Sequence, residues 1–149
     1  MSTEDSSKAA AYHEFERLVV QADHLDIEVR WAETDDFGLI MVRCPKPEGR
    51  TFVFQLTCDD YPRIAPLLRF LNPEAWTNLE LQSDAAREHW PTGSSMAERG
   101  KPFPVPCIRG HRDYYEGGWH DGWSKPLIEA DTIYQTVVQI RNAIFSVWS

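Results

Sequence analysis

No stretch of this chain approaches the ~18 consecutive apolar residues a membrane-crossing helix needs, although 42% of its 149 residues are hydrophobic. That argues against a bundle buried in lipid and for a domain that buries its own core. Positive charge is scarce as well. Fifteen Lys and Arg stand against 23 Asp and Glu, a net charge of -8. Nucleic-acid binding and docking on anionic lipid both need clustered cations, so neither class is expected. Cysteine is scarce and odd in number, with only Cys44, Cys58 and Cys107, and no C-x-x-C pair occurs. This is neither a disulfide framework nor a structural zinc pattern. The opening residues Met1–Ser7 are polar and acidic, without the apolar core of a secretory signal. A cytoplasmic protein is expected, with residues 1–7 disordered. No internal repeat or low-complexity linker divides the chain, so residues 1–149 read as one domain.

What is present has a clear order. Ser7 reads as the N-cap of a helix running to about Asp23. Tyr12, Phe15, Leu18, Val19 and Ala22 recur at helical spacing, with His13, Glu14, Glu16, Arg17 and Gln21 opposite them. Three strands follow. Leu25–Trp31 alternates, Thr34-Asp35-Asp36 is a turn, and Phe37–Cys44 is more fully apolar. A proline turn at 45–49 leads to Thr51–Thr57, which alternates again. Residues 58–66 form a proline-stiffened loop, and Leu67–Leu71 is a short fourth strand ended by Asn72-Pro73. Short connections between these strands predict an antiparallel meander. Residues 74–101 are less legible, with a helical turn or strand near Trp76, Leu79 and Leu81, a short helix over Ser83–Trp90, and a loop over Thr92–Gly100. After Pro126 a strong helix is predicted, because Ile133, Val137, Ile140, Ile144 and Val147 keep one stripe that Tyr134, Phe145 and Trp148 widen. A helical layer on an antiparallel sheet is an α+β fold.

Between the fourth strand and the last helix lies the stretch richest in chemistry, Phe103 to Ser124. It holds Cys107, His111, His120, Asp113, Glu116, Asp121, Trp119 and Trp123 among several glycines. So polar a stretch predicts a structured surface loop, where reactive groups are usually carried. Cys107 is the candidate nucleophile. Pro104 and Pro106 stiffen its approach, Gly110 allows a bound chain close to the backbone, and Arg109, His111 and Arg112 would favour the thiolate. His111 or Asp113 would deprotonate an incoming nucleophile. Arg109, Tyr114, Tyr115, Trp119 and Trp123 are the candidate partner-binding residues. Tyr114 and Tyr115 beside Glu116 would line a groove for an extended peptide, and the two tryptophans also read as packing anchors. Other readings stay open: a buried Cys107 acting as a small hydrophobe, a metal site of Cys107, His111 and His120 with Asp113 or Asp121, or a Cys-His-Asp hydrolase. Cys44 and Cys58 read as structural.

One family shares the order of these landmarks. The run Gly49 to Leu71 resembles the third and fourth strands of ubiquitin-conjugating enzymes, with Tyr61, Pro62, Pro66 and Phe70 in the places of that family's Tyr-Pro-x-x-x-Pro loop and following strand. Trp123-Ser124, then Pro126 and a long helix, looks like the segment after the family's catalytic cysteine, and Cys107 lies between the two landmarks. The resemblance covers residues 10–148. The family's His-Pro-Asn signature is absent, no Asn occurs between Asn78 and Asn142, and the two C-terminal helices are missing. A short, acidic, divergent member of this kind is similar to the bacterial conjugating-enzyme-like proteins encoded beside cGAS-like nucleotidyltransferases in antiphage signalling systems (CBASS). The resemblance implies a Cys107 thioester with the C-terminus of a partner, a nucleotidyltransferase of that kind, and no cofactor. It also admits a catalytically inactive binding module of the same fold, as in RWD-type domains.

Overall fold

A computed structural model of the chain describes residues 3–46, 49–78, 90–91, 96–97, 105–116, 122–126, 128–146 and 148. The expected α+β layers are present. Helix α1 (Thr3–Leu25) precedes strands β1 (Glu28–Glu33), β2 (Gly38–Pro45), β3 (Thr51–Cys58) and β4 (Leu67–Leu71). A 3-10 turn (Pro73–Trp76), the short strands β5 (Met96–Ala97) and β6 (Val105–Pro106), one turn of helix α2 (Arg112–Tyr115), a second 3-10 turn (Glu129–Asp131) and helix α3 (Ile133–Ser146) follow. The sheet order is β1-β2-β3-β4, antiparallel throughout, so the meander is as expected. Val29, Val42, Phe54 and Phe70 pair in one row across all four strands.

That row fixes which face is covered. Ile40, Val42 and Cys44 of β2, Phe52, Phe54, Leu56 and Cys58 of β3, and Leu68 and Phe70 of β4 are buried together with α1 and α3. Ile133, Val137, Ile140 and Ile144 supply the α3 stripe as predicted, while Val147 lies outside the described residues. Trp148 is fully buried and meets Phe70 edge-on at 5.8 Å. The other sheet face is partly covered too. Met41, Val53, Leu71 and Ala75 form a second small core beneath the Pro73–Trp76 turn. This explains why β2 lacks a clean polar-apolar alternation: Met41 and its neighbours Ile40 and Val42 all find apolar cover, on opposite faces.

Helix α1 departs from the sequence reading in three ways. It starts at Thr3, so Ser7 lies inside it rather than capping it, and residues 3–7 are helical rather than disordered. The Ser7 hydroxyl is turned inward onto the Cys58 carbonyl at 3.4 Å. The buried stripe is Ser7, Ala11, Glu14, Leu18 and Leu25, while Tyr12 and Val19, expected to face inward, are exposed. Glu14 is tolerated in that stripe because it has partners. Its carboxylate accepts from Arg17 and from the Tyr134 backbone N–H, each at 3.0 Å, and so satisfies an orphan donor at the start of α3. The helix also runs past Asp23. Asp26 adopts a left-handed φ of 55°, and bonds from Asp26 N to the Asp23 carbonyl and from Ile27 N to the Ala22 carbonyl close it in a Schellman motif. Strand β1 therefore begins at Glu28 rather than Leu25.

Residues 79–89 and 117–121 lie outside the described residues, and with them the Leu79–Leu81 element, all of the 83–90 helix except Trp90, and Trp119, His120 and Asp121. Within the stretch read as loop over 92–100, Met96 and Ala97 pair with Pro106 and Val105 as a two-stranded ladder. No helix among the described residues is long and apolar enough to cross a membrane.

Candidate active site around Cys107

Cys107 follows directly on β6 (Val105–Pro106). Val105 and Pro106 before it are buried, Ile108 after it is buried, and Cys107 itself is exposed. Apolar anchors on both sides thus hold a short turn, with the thiol at its outer edge. The other two cysteines are buried. Burial pushes the Cys44 thiol up to about 12 and the Cys58 thiol higher still. Their structural reading stands, and Cys107 carries the one accessible thiol.

The turn after Cys107 is shaped by Gly110. Its φ of +101° suits glycine, and a Cβ there would sit 1.7 Å from Thr136 Oγ1. The Thr136 hydroxyl lies 3.2 Å from the Arg109 carbonyl oxygen and 2.8 Å from that of Thr132, so this turn is seated directly on the first turn of α3. Thr132 Oγ1 in turn accepts from Gln135 N at 3.3 Å at the start of that helix.

The polar residues next to the thiol are occupied in holding this turn. His111 is fully buried, and its Nε2 lies 2.8 Å from the Pro106 carbonyl oxygen. A carbonyl only accepts, so Nε2 carries the proton. The imidazole braces the residue before the nucleophile and does not face solvent. Asp113 is also buried and pairs with Arg69 of β4 at 2.7 Å. Both residues named from the sequence as bases are thus buried and hydrogen-bonded within the scaffold. Arg112 fastens α2 to the Tyr-Pro loop: its backbone N donates to the Pro66 carbonyl at 2.8 Å, its Nε to the Ala65 carbonyl at 3.2 Å, and its terminal nitrogen pairs with Asp59. Trp123 Nε1 donates to the Pro62 carbonyl at 2.9 Å, within the cis Tyr61–Pro62 loop.

Arg109 does not point freely at a partner. It forks onto Asp131, Nε to Oδ1 at 2.8 Å and Nη2 to Oδ2 at 3.2 Å. Tyr115 donates its hydroxyl to Asp131 Oδ1 at 2.9 Å and accepts from Gly110 N at 3.0 Å. Ile128 N adds a donor to Oδ2 at 3.2 Å. Burial alone would push the Asp131 carboxyl up, but the Arg109, Tyr115 and Ile128 donors outweigh it and hold the group below the usual carboxylate range. Burial, then the bond to Asp131, pushes the Tyr115 phenol up, and the Asp131 bond raises the Arg109 guanidinium.

Beside this cluster lies a groove of about 350 Å³, lined by Ile64, Ala65, Arg112, Tyr115, Glu116 and Trp123. Of the residues named from the sequence, Tyr115, Glu116 and Trp123 line this groove. Tyr114 is not among its lining residues and stacks edge-on against the Tyr115 ring at 5.0 Å. Trp123 packs 5.3 Å from Tyr115 and 6.4 Å from Tyr61. Among the described residues no three His, Cys, Asp or Glu side chains gather to hold a metal ion.

Sequence reasoning missed Asp131, Thr136 and Arg69. Asp131-Thr132 ahead of the α3 stripe carried a capping signal, but nothing in the sequence pointed from it to Arg109, 22 residues earlier. No protein-family model, curated protein or solved structure gives a significant match to the chain.

Proposed function

We propose that this chain is a divergent ubiquitin-conjugating-like protein whose Cys107 carries an acyl group as a thioester. The observation that supports this best is the exposed Cys107 on a turn braced against both the Tyr61–Pro66 loop and, through Tyr115, Trp123. The three landmarks of the sequence resemblance are thereby neighbours in space. The thiolate attacks the carbonyl carbon of a partner's activated C-terminus. The thiol has already lost its proton to water, so as the C–S bond forms only the activating group leaves, with its electron pair. An acceptor nucleophile then attacks the same carbonyl, its new bond replaces the C–S bond, and its proton returns to the sulfur to regenerate the thiol. The partner is a cGAS-like nucleotidyltransferase, the setting antiphage defence in the cytoplasm, and the groove beside Tyr115 and Trp123 receives part of the incoming chain. His111 and Asp113 brace the turn and leave proton transfer to solvent or to the acceptor.

Co-expression with the product of the neighbouring gene tests this. Intact mass should show a thiol-labile adduct on the wild type and none on Cys107→Ala. An adduct that survives in Cys107→Ala, or a wild type that never forms one, rejects the reading. The engagement of His111, Asp113 and Arg109 in bracing favours a second reading, a binding module of the same layers that uses the groove without catalysis. In that case the partner co-purifies with wild type and Cys107→Ala alike, without a covalent bond.

A further inference from the structure

We propose that Asp131 is the positioning residue of the Cys107 turn, holding it through two separate arms, Arg109 and Tyr115. The inference rests on the thioester reading for its purpose, but its geometry is independent of any partner. Asp131 is fully buried at the foot of α3 and accepts four hydrogen bonds. Two come from Arg109, two residues past the thiol. A third comes from Tyr115, whose oxygen in turn holds the Gly110 N–H. The fourth, from Ile128 N, ties the carboxylate to its own 3-10 turn. One buried charge therefore fixes both the side chain of Arg109 and the backbone of Gly110. A buried carboxylate is costly unless satisfied, and here three of its four bonds come from Arg109 and Tyr115, which follow the thiol in the chain.

The consequence concerns charge as well as shape. Paired with Asp131, the Arg109 cation is committed to the scaffold and kept off the thiol. Asp131→Asn keeps the shape and removes the charge, which releases Arg109 toward solvent beside Cys107. The test compares two thiol reagents on the whole chain, neutral iodoacetamide and the dianionic aromatic disulfide dithiobis(nitrobenzoate). In Asp131→Asn the ratio of anionic to neutral rate should rise about threefold, the order expected for one exposed charge pair. Adding Arg109→Ala should return it to the wild-type value. A residue that only stabilised the fold would move both rates together and leave the ratio unchanged. The second arm is read separately. Tyr115→Phe removes the acceptor of the Gly110 N–H, so amide exchange at Gly110 should speed up about fivefold, the loss of roughly one hydrogen bond. This variant decides the matter if Asp131→Asn does not fold. A wild-type reagent ratio in folded Asp131→Asn, or an unchanged Gly110 exchange rate in Tyr115→Phe, overturns the proposal. Neither readout needs the partner. Failure of the wild type to form an adduct therefore defeats the thioester reading alone.

Discussion

Gly110→Ala should be among the most damaging single-methyl additions near the site. Two costs combine. Alanine at a φ of +101° leaves the allowed regions of an L-residue, about 1 kcal/mol or more. Its Cβ would also fall 1.7 Å from Thr136 Oγ1, so the threonine must swing away. That removes its bond to the Arg109 carbonyl, and leaving a partly buried acceptor unsatisfied costs about 1–3 kcal/mol. The sum is about 3 kcal/mol, which is roughly a 1.5 M fall in the urea midpoint at a slope near 2 kcal/mol/M. A matched control exists in the same chain. A Cβ added at Gly122 would meet no heavy atom within 4 Å, and its φ is not left-handed, so Gly122→Ala should be nearly silent. In the double variant Gly110→Ala/Thr136→Ala the clash with Oγ1 disappears and at least ~1 kcal/mol should be recovered relative to additivity. Urea denaturation followed by tryptophan fluorescence of the wild type, Gly110→Ala, Gly122→Ala, Thr136→Ala and the double variant gives the values the comparison needs. A Gly110→Ala variant within ~0.5 kcal/mol of Gly122→Ala would refute the account of this turn.

The three thiols should separate kinetically. In the folded protein iodoacetamide should label Cys107 alone, with Cys44 and Cys58 reacting only in denaturant, because both are buried and their thiolates are disfavoured; peptide mass mapping that finds native labelling at Cys58 would contradict the placement of the β3 end. Acid should weaken the fold in part through Asp131. Its carboxyl sits below the usual value when folded, so its contribution is fully present above the unfolded value of ~3.9 and fades as pH falls through the lower folded one. Between about pH 5 and pH 3, urea midpoints of Asp131→Asn should therefore fall less steeply than those of the wild type, and equal slopes would show that the carboxyl is not depressed.

The architecture was largely legible in the chain because strands report themselves locally. Alternation in Thr51–Thr57 and the proline-bounded run Leu67–Leu71 gave β3 and β4 nearly to the residue, and Thr34-Asp35-Asp36 gave the first hairpin, where Thr34 Oγ1 accepts from the Asp36 and Phe37 backbone N–H. The α3 stripe was equally clear, since few polar residues compete for its inner face. Helix α1 was harder. Apolar residues lie on more than one of its faces, so periodicity established a helix but not its rotation. The sheet below chose the side carrying Ala11 and Leu18, and Glu14 was drawn in by the donors it meets there.

At the site the division is sharper. By itself the sequence determined that one cysteine, Cys107, sits in a polar, glycine-bearing stretch between a Tyr-Pro loop and a Trp-Ser segment. Composition and order suffice for that. Only the tertiary structure decided that this thiol is exposed while His111 and Asp113, four and six residues on, are buried as braces, and that Arg109 belongs to Asp131. Those outcomes depend on which groups from distant segments meet in a low-dielectric interior, where an unpaired charge is expensive and a paired one is fixed in place. No local pattern encodes such meetings, because each partner is supplied by a different element of the fold.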